Sequence, residues 1–313
     1  MKLGTARGPA VVAIAALVTS IAAGARAEDI STTPESVAAG TEVWASTDSD
    51  GSDVLKLLVR GLWRYDDREK YTGLAVEQVW FNPSVGADEQ DQRIYLDAAD
   101  KLGPEWRWRA RIGTDGDTLV GSAEIRRADW AQSVFVEREI VETDQGLRRG
   151  IYYTFAGASA DLGIDENNTL ALSTGLQAFS GRNERLHFRA RFVHAVRAVP
   201  GLSAHLDTRY YHSTHPGGFD YFSPRNFVRV VPLAQFRRFT GAGWMFLAAG
   251  GLGGQRNTGT EWSIARFGQL RAESPRNARA FDAFAEVIYT NDSLSGGTKY
   301  DYLMGRAGVT VRF

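Results

Sequence analysis

The last fourteen residues, YDYLMGRAGVTVRF (300–313), decide how the rest of the chain is read. Leu303, Ala307, Val309, Val311 and Phe313 fall on one face with Gly305, while Tyr300, Tyr302, Arg306, Thr310 and Arg312 fall on the other. A period of two is that of a β-strand, because successive side chains leave opposite faces of a sheet. In water such a strand lays its apolar face on a core. In an outer membrane it lays that face on lipid and turns its polar face into a lumen.

The same alternation recurs along the chain. In 105–113, Trp106, Trp108, Ala110 and Ile112 alternate with Glu105, Arg107, Arg109 and Arg111. In 185–197, Leu186, Phe188, Ala190, Phe192 and Val196 oppose Arg185, His187, Arg189, Arg191 and Arg197. A helix would mix these sets around its circumference. Residues 169–178 and 281–289 repeat the pattern, and weaker versions occupy 54–65, 71–81, 92–102, 118–127, 133–141, 147–158, 202–212, 226–238, 242–253 and 260–270. With 42–46 first and 300–313 last, the count is about sixteen, an even number as bacterial barrels require. The connectors, such as 48–53 (DSDGSD) and 114–117 (TDGD), carry turn chemistry, and the Gly250 to Gly254 run reads as a closely approached strand end. No helical repeat or sustained 3.6-residue pattern occurs. The expected fold is all-β, a transmembrane antiparallel up-and-down β-barrel of about sixteen strands. Its closing strand, 300–313, should pair with the first strand near Glu42 and leave no open edge. Aromatics near strand ends (Trp63 with Tyr65, Trp80 with Phe81, Tyr210 with Tyr211, Tyr300 with Tyr302) are expected to form girdles at the two interfaces.

The N-terminus points to the same compartment. Lys2 and Arg7 precede an apolar run over 9–23, followed by Ala25, Arg26 and Ala27, the layout of a Sec-type signal peptide cleaved after Ala27. The expected organisation is a signal peptide at 1–27, a periplasmic lead-in at 28–40 and an outer-membrane barrel at 41–313. Without Lys2, Arg7 and Arg26, the 36 basic residues become 33 against 37 acidic ones, a net charge of −4. That balance offers nucleic acid no global attraction. Only Lys56, Lys70, Lys101 and Lys299 are lysines, so 33 less 4 leaves 29 arginines, whose planar forks suit carboxylates, phosphates and sugar hydroxyls. A genome rich in arginine codons would give the same bias. Cysteine is absent, which excludes a disulfide framework and Cys-based metal sites or nucleophiles.

The most distinctive irregular segment is 212–226, HSTHPGGFDYFSPRN, too long for a tight hairpin. Its end, Tyr221, Phe222, Ser223, Pro224, Arg225 and Asn226, enters a strand containing Pro232 and ending with Arg237 and Arg238. This stretch resembles part of the C-terminal barrel of cellulose synthase operon outer-membrane subunits and related exopolysaccharide-export porins. A terminal strand ending in Phe313 likewise resembles the assembly signal of outer-membrane barrels. The first resemblance implies a sixteen-stranded pore passing a polymer outward, without bond cleavage. Members of that family carry a periplasmic tetratricopeptide array, which this sequence lacks, so a separate synthase or scaffold subunit would have to supply docking. The implied partners are outer-membrane lipid, the barrel-assembly machinery and a polysaccharide.

Two sets of side chains are candidates for the path. Phe219, Tyr221, Phe222, Arg225 and Asn226 form either a loop plug or a polymer contact, since aromatic faces beside polar groups suit sugar rings. Arg107, Arg109, Arg111, Arg189 and Arg191, joined by Arg60, Arg64, Arg229 and Arg237, should face the lumen, because a charge on the lipid face at mid-membrane costs about 2–4 kcal/mol. They could favour anions, or they could pair with Glu77, Asp97, Glu124, Asp207 and Glu286, and pairing is the weightier expectation in a nearly balanced lumen. A general or anion-selective porin for small solutes and a non-pore anchoring barrel remain alternatives. His212, Ser213 and His215 do not match the spacing of barrel lipid hydrolases, so no catalytic residue is expected. Nor does the sequence call for a metal or cofactor.

Overall fold

The computed structural model describes residues 36–275, 280–293 and 299–313. The expected signal peptide at 1–27 therefore lies outside the described residues. Sixteen strands form: β1 (Ser36–Asp48), β2 (Asp53–Asp67), β3 (Lys70–Asn82), β4 (Glu89–Leu102), β5 (Trp106–Thr114), β6 (Leu119–Arg127), β7 (Gln132–Ile140), β8 (Tyr152–Gly163), β9 (Asn168–Phe179), β10 (Glu184–Ala195), β11 (Leu202–Ser213), β12 (Asn226–Phe239), β13 (Met245–Asn257), β14 (Ser263–Glu273), β15 (Phe281–Ser293) and β16 (Lys299–Arg312). They follow one another around a closed antiparallel barrel, and β16 returns to pair with β1. Glu42 stands opposite Gly308 in that seam, with Ala38 opposite Arg312. Closure gives every strand two neighbours, so no row of backbone donors and acceptors is left at an edge.

Each expected segment coincides with one of these strands, and the differences lie at the ends. Residues 36–40, expected in the lead-in, belong to β1 because Ala38 finds partners on both sides, Leu62 and Arg312. Residues 147–149, expected to open a strand, belong instead to a short helix, α1 (Asp144–Arg149). The Thr143 hydroxyl caps its start by accepting the Gly146 N–H at 3.2 Å. Gly150 ends it in the left-handed conformation (φ 59°), where its N–H reaches the Gly146 and Leu147 carbonyls. The Gly250 to Gly254 run lies within β13 rather than at its end. A Cβ on Gly253 would stand 2.0 Å from the Val230 carbonyl oxygen, so close approach to β12 is the reason for glycine there.

The alternation sorts side chains as expected. Val59, Val76 and Ile94 are at least half exposed on the outer wall, while Leu58, Ala75 and Val79 are buried inside. A continuous apolar exterior of this kind is stable against lipid and not against water. One phase change corrects the expected girdles. A register shift in β2 between Leu62 and Arg64 leaves Trp63 exposed on the outside and buries Tyr65, whose hydroxyl donates to Asp282 on β15. Tyr211 is likewise internal beside an exposed Tyr210, and Tyr300 reaches Asp48 Oδ2 at 2.9 Å. These tyrosines serve the interior rather than a membrane interface.

The longest connectors, 141–151 and 214–225, lie at the end of the barrel opposite the first residue of β1 and the last of β16. In outer-membrane barrels the longer loops are the extracellular ones, so this end is called the outer mouth below.

Candidate functional site

Partners on non-neighbouring strands show which side chains cross the interior. Lys56 on β2 reaches Glu142 at 2.5 Å and Glu139 on β7 at 3.8 Å. Arg93 on β4, with no exposed side-chain surface, contacts Asp91 at 2.6 Å, Glu139 at 2.7 Å and Glu77 at 3.2 Å. Arg111 on β5 bridges Asp97 at 3.0 Å and Glu42 on β1 at 3.2 Å. Leu58, Val79, Phe81, Tyr95 and Val120 pack in one apolar cluster on the same side. The half of the interior enclosed by β1–β8 is therefore occupied by salt bridges and side-chain packing. Charges there must be paired, because removing one partner of a buried pair costs several kcal/mol.

The wall formed by β10, β11 and β12 is different. Register places Arg189 opposite Arg209, and Arg209 opposite Arg229. Ser173 and Gln255 flank this row on β9 and β13 and contribute no charge. Arg229 donates to the Arg266 carbonyl at 2.9 Å, and the Arg209 guanidinium lies 5.6 Å from the Tyr211 ring centre. Among the described residues neither Arg189 nor Arg209 has a carboxylate at ion-pair distance. One step along the barrel, Arg191 is held by Asp207 at 2.6 Å.

At the outer mouth the 214–225 loop folds against this wall. Asp220 accepts from the Thr143 hydroxyl at 2.6 Å and from the Gln145 N–H at 2.7 Å, joining the loop to the start of α1. Tyr221 stacks on Phe179 (ring centres 4.4 Å apart, 11° between planes). Its hydroxyl accepts from Asn183 Nδ2 at 3.1 Å, and its burial pushes its pKa above the ordinary tyrosine value. Arg185 donates to the Phe222 carbonyl at 2.6 Å and to Ser213 Oγ at 3.3 Å. Beneath the loop is a cavity of about 530 Å³ with Glu137, Glu139 and Glu142 on one side and Arg185 and Arg209 on the other, and with Tyr211, Tyr221 and Phe222 among its walls. The Glu137 carboxylate takes a hydrogen bond from Tyr153.

The arginines singled out in the sequence thus divide. Arg107, Arg109, Arg111 and Arg191 are held by Glu69, Glu124, Asp97 with Glu42, and Asp207 respectively. Glu286 is engaged by Arg306 at 2.7 Å and Arg271 at 3.5 Å. Arg237 sits at the far rim over the Phe239 ring, away from the Arg189 row. Of the loop residues, Phe219, Tyr221 and Phe222 come together, with Phe219 stacked 6.0 Å from Tyr221. Arg225 is exposed, and Asn226 Oδ1 instead accepts from the exposed Tyr210 hydroxyl at 3.0 Å. Sequence reasoning missed Arg209 and passed over Arg185 as a site. Both share the alternating phase of residues already marked, Arg209 with Asp207 and Arg185 with Arg189.

His212 and Ser213 lie on opposite faces of β11. His212 Nδ1 meets Asn226 Oδ1 at 2.9 Å while Ser213 is fully buried beside Arg185, so they form no nucleophile–base pair. Among the described residues no group of three His, Asp or Glu side chains is placed to hold a metal.

No protein-family model and no curated protein sequence matches the chain. Solved structures do. A bacterial polysaccharide outer membrane secretin superposes with a TM-score of 0.63 at 13% identity, over 90% of this chain and 100% of that one. The fold is that of an outer-membrane barrel. Acinetobacter baumannii OccAB3 aligns at a TM-score of 0.44 and 8% identity (89% of this chain, 99% of that one). The KdgM porin in complex with disordered oligogalacturonate aligns at 0.37 and 12% (88% and 99%).

Proposed function

We propose that the chain is an outer-membrane pore that lets an exopolysaccharide leave the cell by passive passage. The observation that carries this reading is the cavity at the outer mouth, where stacked aromatic rings stand beside guanidinium groups. Sugar rings present C–H faces that stack on aromatic side chains and hydroxyls that bond laterally to charged groups. A volume of about 530 Å³ falls within the range of small-ligand sites and suits a short run of sugar units. The resemblance of residues 221–238 to exopolysaccharide-export barrels is in line with this reading, as is the polysaccharide secretin among the structures of like fold. In this account the side chains set size and charge preference and no bond is broken.

The packed interior between β1 and β8 favours a second reading, a plugged anchoring barrel. Conductance in planar bilayers separates the two. The pore reading expects current through the intact protein or after removal of residues 214–225, and silence in both refutes it. Polymer secreted by a deletion strain then separates export from uptake of small solutes. Unchanged polymer with impaired anion uptake would sink the export reading.

A further inference from the structure

The outer wall between β12 and β15 is not smooth. On its outward phase, register sets Phe236 beside Ala248 and Ala248 beside Leu270. One step nearer the rim, Arg238 stands beside Phe246, Phe246 beside Ala272 and Ala272 beside Ala285. Phe236, Phe246 and Leu270 are exposed, and the alanines between them are too short to fill the space, so an apolar groove of about 590 Å³ runs across these strands with Arg238 in its lining. Further from the rim the wall stays recessed where Gly250 stands opposite Gly268. A Cβ on either glycine would meet nothing closer than 3.8 Å, so neither is required by close approach of a neighbouring strand, in contrast to Gly253. Because β12 runs away from the 214–225 loop and ends at Phe239, the groove lies towards the rim opposite the long connectors. There Trp244 tilts against Phe281 with ring centres 6.4 Å apart, as aromatic rings do at the level of lipid headgroups.

Apolar shape alone does not retain a lipid. Lipid tails are as apolar as leucine, so a molecule that stays must gain from closer packing and from its headgroup. Arg238 is exposed on the lipid side, and the outward positions that continue its row, Phe246, Ala272 and Ala285, offer it no carboxylate. Glu286, next to Ala285, turns inward to Arg306 and Arg271. So close to the end of its strand, an outward arginine costs far less than at mid-membrane, and its charge meets the phosphate layer. We propose that the groove holds one glycerophospholipid of the periplasmic leaflet. An acyl chain lies between Phe236, Phe246 and Leu270, and the phosphate rests on the Arg238 guanidinium, whose planar fork matches phosphate oxygens.

The test extracts the full barrel in mild detergent, adds dioleoyl phosphatidylglycerol and reads bound lipid by native mass spectrometry. One phospholipid is expected to remain on each barrel. R238Q should weaken its retention about tenfold, the scale of one hydrogen bond to a charged group. A248L and A272L, which fill the groove and leave the charge in place, should weaken it too. R256Q, which removes an outward arginine near the opposite rim, should not. Retention indifferent to R238Q or to both groove-filling substitutions overturns the proposal, as does equal loss in R256Q or equal retention of dioleoylglycerol, which has the chains without the phosphate. Displacement of the phospholipid by lipid A at equal concentration refutes the periplasmic placement. A dimer by light scattering that becomes monomeric in A248L and A272L would make the groove an interface between two copies and refute the lipid occupant. If the variants do not fold, exchange of spin-labelled phosphatidylglycerol on the wild-type barrel in vesicles decides. A lipid that exchanges more slowly than the rest of the surrounding shell sustains the site, and uniformly fast exchange refutes it.

Discussion

Arg93 is the sharpest test of the claim that half of the interior is structural. Its side chain is wholly buried and holds three carboxylates, Asp91, Glu77 and Glu139, with Glu139 three strands away on β7. Arg93→Met keeps most of the apolar stem and removes the charge. Glu77 and Glu139 are then left facing each other, with Lys56 at 3.8 Å as the remaining cation near Glu139. Breaking a buried ion pair by deleting one partner costs about 3–5 kcal/mol. A methionine burying methylene groups at about 0.8 kcal/mol each offsets a small part of that. The expected net loss is about 3 kcal/mol, measured by urea titration of the barrel folded in lipid vesicles and followed by tryptophan fluorescence and gel mobility. The urea dependence should shift its midpoint with little change in slope, since the exposed area on unfolding is nearly the same. Adding Glu139→Gln should recover part of the loss, because residues in one network couple by about 0.5–3 kcal/mol. A loss below about 1 kcal/mol, the scale of an exposed pair, would mean that water reaches this network and that the half is not packed.

Two further perturbations address closure and the mouth loop. Deleting Phe313 removes its N–H bond to the Val37 carbonyl, 2.8 Å long, at the seam of β16 with β1. Assembly yield, read by heat-modified gel mobility, should fall severalfold while the ion preference of the assembled fraction stays the same. Wild-type yield would refute the assembly role. Gly181→Ala would set a Cβ 2.1 Å from Cε2 of Phe219, so that ring must move off its place beside Tyr221. Open-channel current noise should rise with a stability change within about 1 kcal/mol, as for a loop substitution, and unchanged noise would mean that the loop does not gate the mouth.

Alternation made the barrel legible because it is a local property. Trp106, Trp108 and Ile112 against Arg107, Arg109 and Arg111 announce a strand and its two faces without reference to any other strand. The strand count followed from repeating that test, and closure followed from the need to leave no edge. What failed was what depends on register or on phase within one strand. The shift between Leu62 and Arg64 turned Tyr65 inward, and no residue type at that point announces it. The helix at 144–149 was hidden because six residues are too few to show a 3.6-residue period, although Thr143 and Gly150 are the caps that could have marked it. Arginine partners were invisible for the same reason as the bulge. Arg189 and Arg191 look alike in sequence, yet Asp207 stands opposite Arg191 while Arg209 stands opposite Arg189.

That last pair shows why paired and unpaired arginines can share one lumen. Repulsion between neighbouring charges on adjacent strands amounts to about 0.2–1 kcal/mol when water can screen it, a burden a closed barrel carries easily at the exposed Arg189. At the buried Arg93 an unpaired charge would forfeit several kcal/mol, so a carboxylate partner there is demanded by folding alone. Pairing at Arg93 is therefore explained by burial, and the presence of its partners says nothing about passage.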